Sequence, residues 1–525
     1  MDTRMDETAA TLADLDEEQR YALFDHFQQH LPEVWNVMRR DRPEESAVVV
    51  PSISLERTTA SSGTLMQAME ERALFQLLLL RQPMLTLVYV TSSPIADEIV
   101  DYYLGLLPGV IPSNARRRLR LVSVGDASTR PLSQKVLDRP RVLRRIRELI
   151  PDRSVSHLIP YTTTELERDV AISLGIPMYG SDPRLAPLGS KSGCRRLFAE
   201  VGVDAPVGAE GLRTVDDLVT AVAAMRADRP TLAEVIVKTD EGVSGSGNAL
   251  VDLSGLPVRG DPGEAPALRA RIRELRPEAP DLDVDGFLAA FERLGGVVEE
   301  RITGTALTSP SVQMRVLPDR TVELLSTHDQ LLGGASGQQY LGCVFPADPA
   351  YSRLITEPAM AVGRDLAQRG VLGRFAVDFV AVRDGADDWT AYAIELNLRK
   401  GGTTHPFLTL QFLVGGEYDG DAGLYRTASG APKFLVATDH LEDDRLKALT
   451  PRDVFDVVVR RRLHFDHSHK TGVVFHMLSC VTECGRLGMT AIGDSPEQAW
   501  QTYQDATEAL LEEAALARVP GTLPT

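Results

Sequence analysis

Three residues with metal-binding side chains, Asp378, Glu395 and Asn397, fall on two predicted strands that are separated by a short polar turn. The strands are RFAVDFVAV (374–382) and TAYAIELNL (390–398). Side chains alternate between the faces of a strand, so Glu395 and Asn397 share one face, and a hairpin through the turn places Asp378 opposite Glu395. Carboxylate and amide oxygens are the ligands that Mg²⁺ prefers. The pattern therefore predicts a cation site, with an exposed hairpin carrying solvated charges as the alternative.

A glycine-rich loop follows another apolar strand. EVIVKT (234–239) carries Lys238 near its end and leads into GVSGSG (242–247), whose glycines allow backbone N–H groups to approach phosphate oxygens. The order G-x-x-G-x-G matches neither the dinucleotide fingerprint nor the P-loop. A hairpin loop that closes over a triphosphate and a flexible turn both remain open. The candidate phosphate-binding residues in the loop are Gly242, Ser244, Gly245, Ser246 and Gly247.

The segment VVEERI (297–302) places two carboxylates, Glu299 and Glu300, in an apolar strand. The backbone N–H and C=O groups of such a strand, with one carboxylate, can hydrogen-bond the edge of an adenine base. An ordinary edge strand is the equally simple interpretation.

Elements that position these residues follow an α/β pattern. Apolar runs alternate with amphipathic helical segments over the first third of the chain, which predicts a parallel sheet covered by helices. The predicted strands are 84–92, 119–125, 156–161 and 176–180, and the predicted helices are 94–109, 139–151 and 163–175.

Changes in composition divide the chain into four regions. Residues 1–45 form a helical lead-in, and residues 46–185 form the α/β domain with the parallel sheet. Residues 186–429 carry the candidate site, with a charged, proline-rich insertion or lid at 254–294, and residues 430–525 form a further α/β domain.

Composition restricts the partners. The 525 residues are 43% hydrophobic and carry a net charge of −18, with a pI of about 5.1. This balance argues against a nucleic-acid or anionic-membrane surface, which needs clustered Lys and Arg. Only four cysteines are present, and the acidic N-terminus lacks the apolar core of a signal peptide. We therefore expect a cytoplasmic protein.

Two further groups have the residue types of metal ligands. The segment HFDHSHKTGVVFH contains His464, His467, His469 and His476, which fit either a polar turn between strands or a transition-metal site. Cys480 and Cys484 lie in an apolar segment without a second cysteine pair. A polar turn and buried thiols are the favoured interpretations.

The order of the motifs resembles the ATP-grasp superfamily of carboxylate–amine ligases. The Glu-x-Asn strand together with the glycine-rich loop is the specific part of this resemblance. It implies an α/β (in part α+β) ATP-grasp fold with an N-terminal pre-ATP-grasp domain and an extra C-terminal α/β domain. It also implies ATP and two Mg²⁺ ions as cofactors, with Mn²⁺ as an alternative metal. By this resemblance Lys191 and Lys238 bind phosphate, and residues 242–247 close over the nucleotide within a lid at about 205–300. The adenine hinge is then formed by Glu299, Glu300 and Ile302. The metal is held by Asp378, Glu395 and Asn397.

Longer segments, such as GQQYLGCVFPAD and ELNLRKGGTTHPF, are similar to the ligases related to the pheganomycin peptide ligase. This similarity implies that a carboxylate is joined to an amine or peptide through an acyl phosphate, in peptide natural-product assembly. Arg399 and Arg315 are then expected to stabilise the transferred phosphate, Arg374 keeps the same strand face with a less defined role, and His405 is a substrate contact, an amine base or a structural residue. A homodimer is expected from the family. The ribose contact departs from the family pattern, because Ala306 and Leu307 stand where an acidic residue is common.

Two other functions remain open at this stage. One is an ATP-grasp enzyme that uses another nucleophile, as in carboxylases, and the other is a non-catalytic nucleotide-binding module. The sequence lacks a biotin-carrier Met-Lys-Met motif, and it retains all three candidate metal ligands. Both observations favour the ligase.

Overall fold

A computed structural model describes residues 12–38, 45–54, 62–242, 247–279, 282–333, 337, 339–385 and 388–517. Among the described residues, two short helices precede the first sheet and pack beside it. Asp16 caps the first helix in a capping box with Gln19, which satisfies free N–H groups at the helix start. These helices are Glu17–Gln28 (α1) and Leu31–Met38 (α2).

The first sheet is parallel, as the alternating pattern predicts. Its four strands lie in the order β3-β2-β1-β4, and successive residues such as Val48 and Val49 enter separate hydrophobic cores on the two faces. The strands are Ser46–Val50 (β1), Thr86–Thr91 (β2), Leu119–Ser123 (β3) and Ser156–Pro160 (β4). The accompanying helices are Gly63–Glu71 (α3), Asp97–Gly105 (α4), Pro112–Arg118 (α5), Leu132–Leu137 (α6), Pro140–Glu148 (α7) and Glu165–Leu174 (α8).

The predicted strand at 176–180 is reduced to a single bridge. Met178 pairs with Leu158 in parallel, and Tyr179 then turns to stack on Trp35 with ring centroids 5.5 Å apart. The segment therefore touches the sheet edge at one residue without extending the sheet.

A second, antiparallel sheet carries the lysine and glutamate motifs. It has the strand order β5-β9-β6-β7-β8 and packs against helices on one side. Its strands are Gly208–Leu212 (β5), Glu234–Thr239 (β6), Asn248–Asp252 (β7), Arg276–Pro277 (β8) and Gly296–Glu300 (β9). The helices around it are Lys191–Val201 (α9), Val215–Asp228 (α10), Glu264–Ile272 (α11) and Val284–Leu294 (α12). The predicted insertion therefore contributes β8, α11 and α12 to this unit.

The third sheet is the largest of the three and takes its strands from residues 306–493. Its main strand order is β10-β14-β11-β12-β13-β18-β17-β16, with β15 beside β14, and β20 between β18 and β19. The strands are Ala306–Thr308 (β10), Pro310–Val316 (β11), Val322–Gly333 (β12), Gln339–Phe345 (β13), Gly373–Arg383 (β14), Thr390–Asn397 (β15), Glu417–Asp419 (β16), Leu424–Arg426 (β17), Pro432–Glu442 (β18), Gly472–His476 (β19) and Arg486–Gly493 (β20). The helices are Pro349–Gln368 (α13), Thr404–Val414 (α14), Pro451–Arg460 (α15), Val481–Cys484 (α16) and Pro496–Ala517 (α17).

Strand β18 joins the predicted catalytic region to the C-terminal region, because it pairs with β13 on one side and β20 on the other. The predicted division at residue 429/430 thus crosses one hydrogen-bonded sheet, and the four-domain division stays a prediction. Helices α13 and α17 cover parts of this sheet. Within the described ranges, no helix combines the length and apolar character needed to cross a membrane.

Candidate functional site

The hairpin of β14 and β15 brings the candidate metal ligands together. Asp378 pairs with Glu395 in the antiparallel register, which confirms the predicted pairing, and a bulge follows directly after Asp378. Asn397 Nδ2 donates a hydrogen bond to Asp378 Oδ2 over 3.1 Å. Two carboxylates and one amide therefore share one face, as a hard-cation site requires.

Lys191, at the first position of α9, reaches this acidic pair. Its Nζ lies 2.6 Å from Glu395 Oε1. Burial opposes the charged form of Glu395, but the Lys191 ammonium holds the pKa of Glu395 below its ordinary value. Burial, and then the Glu395 charge, raise the pKa of Asp378 to about 6. The pair thus holds more negative charge than one lysine neutralises, and a bound cation would relieve the repulsion.

The second lysine forms a separate buried ion-pair group. Lys238 Nζ lies 2.5 Å from Glu299 Oε2, and Arg195 Nη1 lies 2.7 Å from Glu299 Oε1. The two cations hold the pKa of Glu299 below its ordinary value although burial opposes this. Glu300, on the opposite strand face, binds Arg229 and accepts a hydrogen bond from the Val207 backbone N–H. Only Glu299 of the predicted hinge pair therefore faces Lys238.

Asp240 links the glycine-rich hairpin to α9. Its carboxylate accepts a hydrogen bond from the Ser192 N–H over 2.7 Å, and its backbone C=O accepts one from the Lys191 N–H. The hairpin of β6 and β7 forms as predicted, and Thr239 N–H donates to the Gly247 C=O. A side chain at Gly247 would place its Cβ 2.3 Å from Thr239 Oγ1, so the Thr239 side chain would have to move. Of the predicted loop residues, Ser244, Gly245 and Ser246 lie outside the described residues, while Gly242 and Gly247 flank them.

A small basic pocket adjoins the acidic pair. It is lined by Arg374, Arg399 and Lys400 and by the segments 160–163 and 179–181 of the N-terminal region. Among the described residues, none of these three cations forms an ion pair with a carboxylate. Burial, and then the Arg374 charge, lower the pKa of Lys400 to about 7, and burial together with Arg315 lowers the pKa of Arg374 to about 10. Uncompensated positive charge in a pocket is suited to binding an anion.

The sequence prediction did not identify Lys400 or Asp240 as site residues. Lys400 follows Arg399 directly where β15 ends, and a second cation at that point was the available signal. Its partner is a backbone carbonyl, that of Pro160, which belongs to the N-terminal sheet and is distant in sequence. Asp240 stands two residues after Lys238, but its link to α9 depends on tertiary packing.

Three predicted residues lie apart from the acidic pair. Arg315 on β11 lies opposite Arg374 on β14, and Arg374 is four residues before Asp378 on that strand. Glu323 binds the guanidinium of Arg315. Ile302 lies two residues beyond the end of β9. His405 is buried and contacts Asp439 instead, and burial lowers its pKa to about 3. An imidazole with this pKa and this burial does not fit the role of an accessible amine base.

The histidine-rich segment divides into two environments. His469 lies in an exposed turn, where its Nδ1 is 2.8 Å from Asp466 Oδ2, while His476 ends β19 in the interior. Cys480 and Cys484 are free thiols; Cys480 is buried, as favoured, whereas Cys484 is only partly buried.

The chain is similar to two protein families and to known relatives. The family model "IQCH-like, ATP-grasp" matches residues 183–261 and 283–420, and the model "PGM1 C-terminal domain" matches residues 453–506. The chain is 31% identical, over 84% of its length and 89% of the relative's, to L-propargylglycine–L-glutamate ligase of Streptantibioticus cattleyicolor. The chain belongs to the ATP-grasp ligases. A second relative, IQ motif-containing protein H of Danio rerio, is 26% identical over 68% of this ATP-grasp ligase and 37% of its own length.

Solved structures agree on the fold. A biotin carboxylase from Campylobacter jejuni aligns with a TM-score of 0.52 at 12% identity, covering 91% of this ATP-grasp ligase and 96% of that chain. At this identity the alignment establishes the ATP-grasp fold alone. The predicted fold class, including the extra C-terminal domain, is confirmed.

Proposed function

We propose that this ATP-grasp ligase joins the carboxylate of an amino acid to the amine of an amino acid or peptide, with release of ADP and phosphate. The observation that carries the proposal is the acidic pair, Asp378 and Glu395, beside a pocket whose basic side chains form no ion pair with a carboxylate among the described residues. A cation site next to an anion site is the arrangement needed to transfer a phosphoryl group to a carboxylate.

The nucleotide would bind across the two antiparallel sheets. Lys191 and Lys238 would bind its phosphates, residues 242–247 would cover them, and the strand at Glu299 would contact the base. Asp378, Glu395 and Asn397 are the residues that would hold Mg²⁺, and the repulsion between the two carboxylates favours a bound cation. Mg²⁺ supplies charge neutralisation on the phosphates. Two ions, and Mn²⁺ as a substitute, remain part of the proposal.

The cations that line the basic pocket would contact the carboxylate end of the acyl donor. Arg374 and Lys400 would bind its carboxylate, and Arg399, whose charge also acts on Asp378 and Glu395, would contact both that carboxylate and the γ-phosphate without separating them. A carboxylate oxygen then attacks the γ-phosphorus, the bond from phosphorus to the bridging oxygen breaks, and ADP leaves. The amine attacks the acyl carbon, phosphate departs with the former carboxylate oxygen, and the amine loses a proton. Positioning and charge stabilisation carry both steps.

The relative's name supports an amino acid in both positions, because that protein joins L-propargylglycine to L-glutamate. We propose the same substrate class here, with the product used in peptide natural-product assembly. A cytoplasmic location, a homodimer and the absence of nucleic-acid and membrane partners belong to the same proposal.

The test uses purified protein with ATP, Mg²⁺ and pooled amino acids and short peptides. ADP, phosphate and product mass are measured together. We expect amine-dependent phosphate release and a product with the mass of the two substrates less one water. Glu395→Gln should lose turnover and retain the fold. If broad pools give no amine-dependent phosphate release, the ligase proposal is wrong.

A further inference from the structure

A compact group of buried ligand-type side chains lies apart from the acidic pair. It consists of His405 in α14, Asp439 in β18 and His476 at the end of β19, which expose 5%, 2% and 4% of their surface. They come from three elements that are distant in sequence, and each contributes one atom to a common point. No step of the proposed reaction uses Asp439 or His476.

The three atoms form a triangle that hydrogen bonds alone do not satisfy. His405 Nε2 lies 3.0 Å from His476 Nε2 and 3.1 Å from Asp439 Oδ1, and His476 Nε2 lies 2.7 Å from the same oxygen. Each ring nitrogen carries at most one hydrogen, so at most two of the three contacts are hydrogen bonds. In the third contact, two N–H donors or two lone pairs face each other, which is repulsive. One cation bound by three lone pairs would satisfy all three atoms.

The dimensions and donor types fit a transition-metal ion. Metal bonds of about 2.0–2.2 Å to nitrogen and oxygen place neighbouring ligand atoms roughly 3.0–3.4 Å apart, so the triangle needs to open by only a few tenths of an ångström. Two imidazoles and one carboxylate are a ligand set of Zn²⁺ and related divalent ions, whereas Mg²⁺ prefers oxygen alone.

The backbone is shaped to bring two of these ligands together. The register between β18 and β20 shifts at Asp439 and His440, which lie against the single residue Gly488. Such a bulge turns a side chain in a new direction. The His476 ring occupies the open face of Gly488, where an added Cβ would lie 2.0 Å from Nε2. Any side chain at residue 488 would therefore displace the ring.

Contacts to Oδ2 orient the Asp439 carboxylate. Arg72 Nη1 lies 2.6 Å from Asp439 Oδ2, and Arg72 Nη2 donates to Tyr161 Oη, which leaves Oδ1 for the two histidines. Metal-binding carboxylates are commonly held in this way by a partner outside the ligand set. Because Arg72 precedes β2 and His476 is near the end of the chain, the group joins the N-terminal and C-terminal regions.

We propose that His405, Asp439 and His476 bind one divalent transition-metal ion of the Zn²⁺ type, which ties these regions together. The site is separate from the Mg²⁺ site at Asp378 and Glu395.

The experiment uses full-length protein without an affinity tag, stripped with a chelator and titrated with Zn²⁺ in excess Mg²⁺. Metal content is measured by mass spectrometry, and Co²⁺ is added separately to record its visible absorption. We expect one Zn²⁺ per chain, a higher melting temperature on Zn²⁺ addition, and Co²⁺ bands of histidine coordination. His476→Gln and Asp439→Asn should each weaken Zn²⁺ binding at least about tenfold.

Two controls separate this site from others. His469→Ala removes an exposed histidine of the same segment, and Asp378→Asn alters the Mg²⁺ site, and both should keep the wild-type Zn²⁺ stoichiometry. Circular dichroism checks that each variant is folded, and the Co²⁺ spectrum of the wild type tests the site without any substitution. Absence of both bound Zn²⁺ and a Co²⁺ spectrum in the wild type would overturn the proposal, as would full Zn²⁺ affinity in folded His476→Gln.

Discussion

Replacing Asp378 by Asn should stabilise the metal-free protein while abolishing its activity. The Asp378 carboxylate faces Glu395 and has a pKa raised to about 6 by burial and then by that charge. A rise from 3.8 to about 6 disfavours the charged form by about 3 kcal/mol, since each tenfold change in the proton equilibrium is worth about 1.4 kcal/mol. Solvent reaches part of the Asp378 side chain, so we expect ~1–2 kcal/mol to be realised as stability.

The sign of the pH dependence follows from the direction of the shift. The folded protein holds this proton more tightly than the unfolded chain, so the cost of the charge is absent below about pH 4 and complete above about pH 6. Asp378→Asn should therefore be more stable than the wild type at pH 7.5, and the difference should shrink as the pH falls towards 4.

Urea unfolding at pH 7.5 and at lower pH, without divalent ions, measures this difference. Asp388→Asn serves as the control, because Asp388 is an exposed carboxylate in the same hairpin and should change stability little. Mg²⁺ with a non-hydrolysable ATP analogue should stabilise the wild type and have a smaller effect on Asp378→Asn. A variant less stable than the wild type at pH 7.5 would refute the reasoning about charge repulsion.

Two further substitutions test the cationic parts of the site. Glu299→Gln removes the partner of the buried cations Lys238 and Arg195 and should destabilise the fold by roughly 3 kcal/mol in urea unfolding, because unpaired buried charges are costly. Lys400 has a pKa lowered to about 7 by burial and by Arg374, so it loses its charge as the pH rises through 7. The apparent KM for the carboxylate substrate should therefore rise between pH 6 and 9 in the wild type, and Lys400→Met should have a high KM that depends less on pH.

The predictions for Glu299→Gln and Lys400→Met can each be contradicted by one result. Wild-type stability of Glu299→Gln would mean that the two cations do not depend on this carboxylate, and the exposed Glu357→Gln is its control. An unchanged KM profile in Lys400→Met would place the carboxylate substrate outside the basic pocket.

The sequence predicted the parts of the site that depend on local periodicity. The alternation of side chains in β14 and β15 was enough to place Asp378 opposite Glu395, and the pairing is confirmed. The glycine order and the apolar strand likewise predicted the hairpin that carries Lys238. These features depend on neighbouring residues, where strand geometry leaves few choices.

Contacts between distant segments were not predictable in this way. The partner of His405 is Asp439, whose direction depends on a bulge in β18 that the apolar run PKFLVATDHLE does not reveal. Histidine spacing instead grouped His476 with its sequence neighbours, such as His469, which the structure places in an exposed turn. The continuity of the large sheet through β18 also depends on long-range pairing, which composition does not report.

Transfer of oxygen from the carboxylate to phosphate tests the central claim most directly. The protein is incubated with ATP, Mg²⁺, an amine pool and amino acids labelled with ¹⁸O in both carboxylate oxygens, and the released phosphate is analysed by mass spectrometry. An acyl-phosphate route predicts one ¹⁸O in each phosphate formed together with ligated product, and ADP as the nucleotide product. Unlabelled phosphate, or AMP with pyrophosphate, would contradict the account.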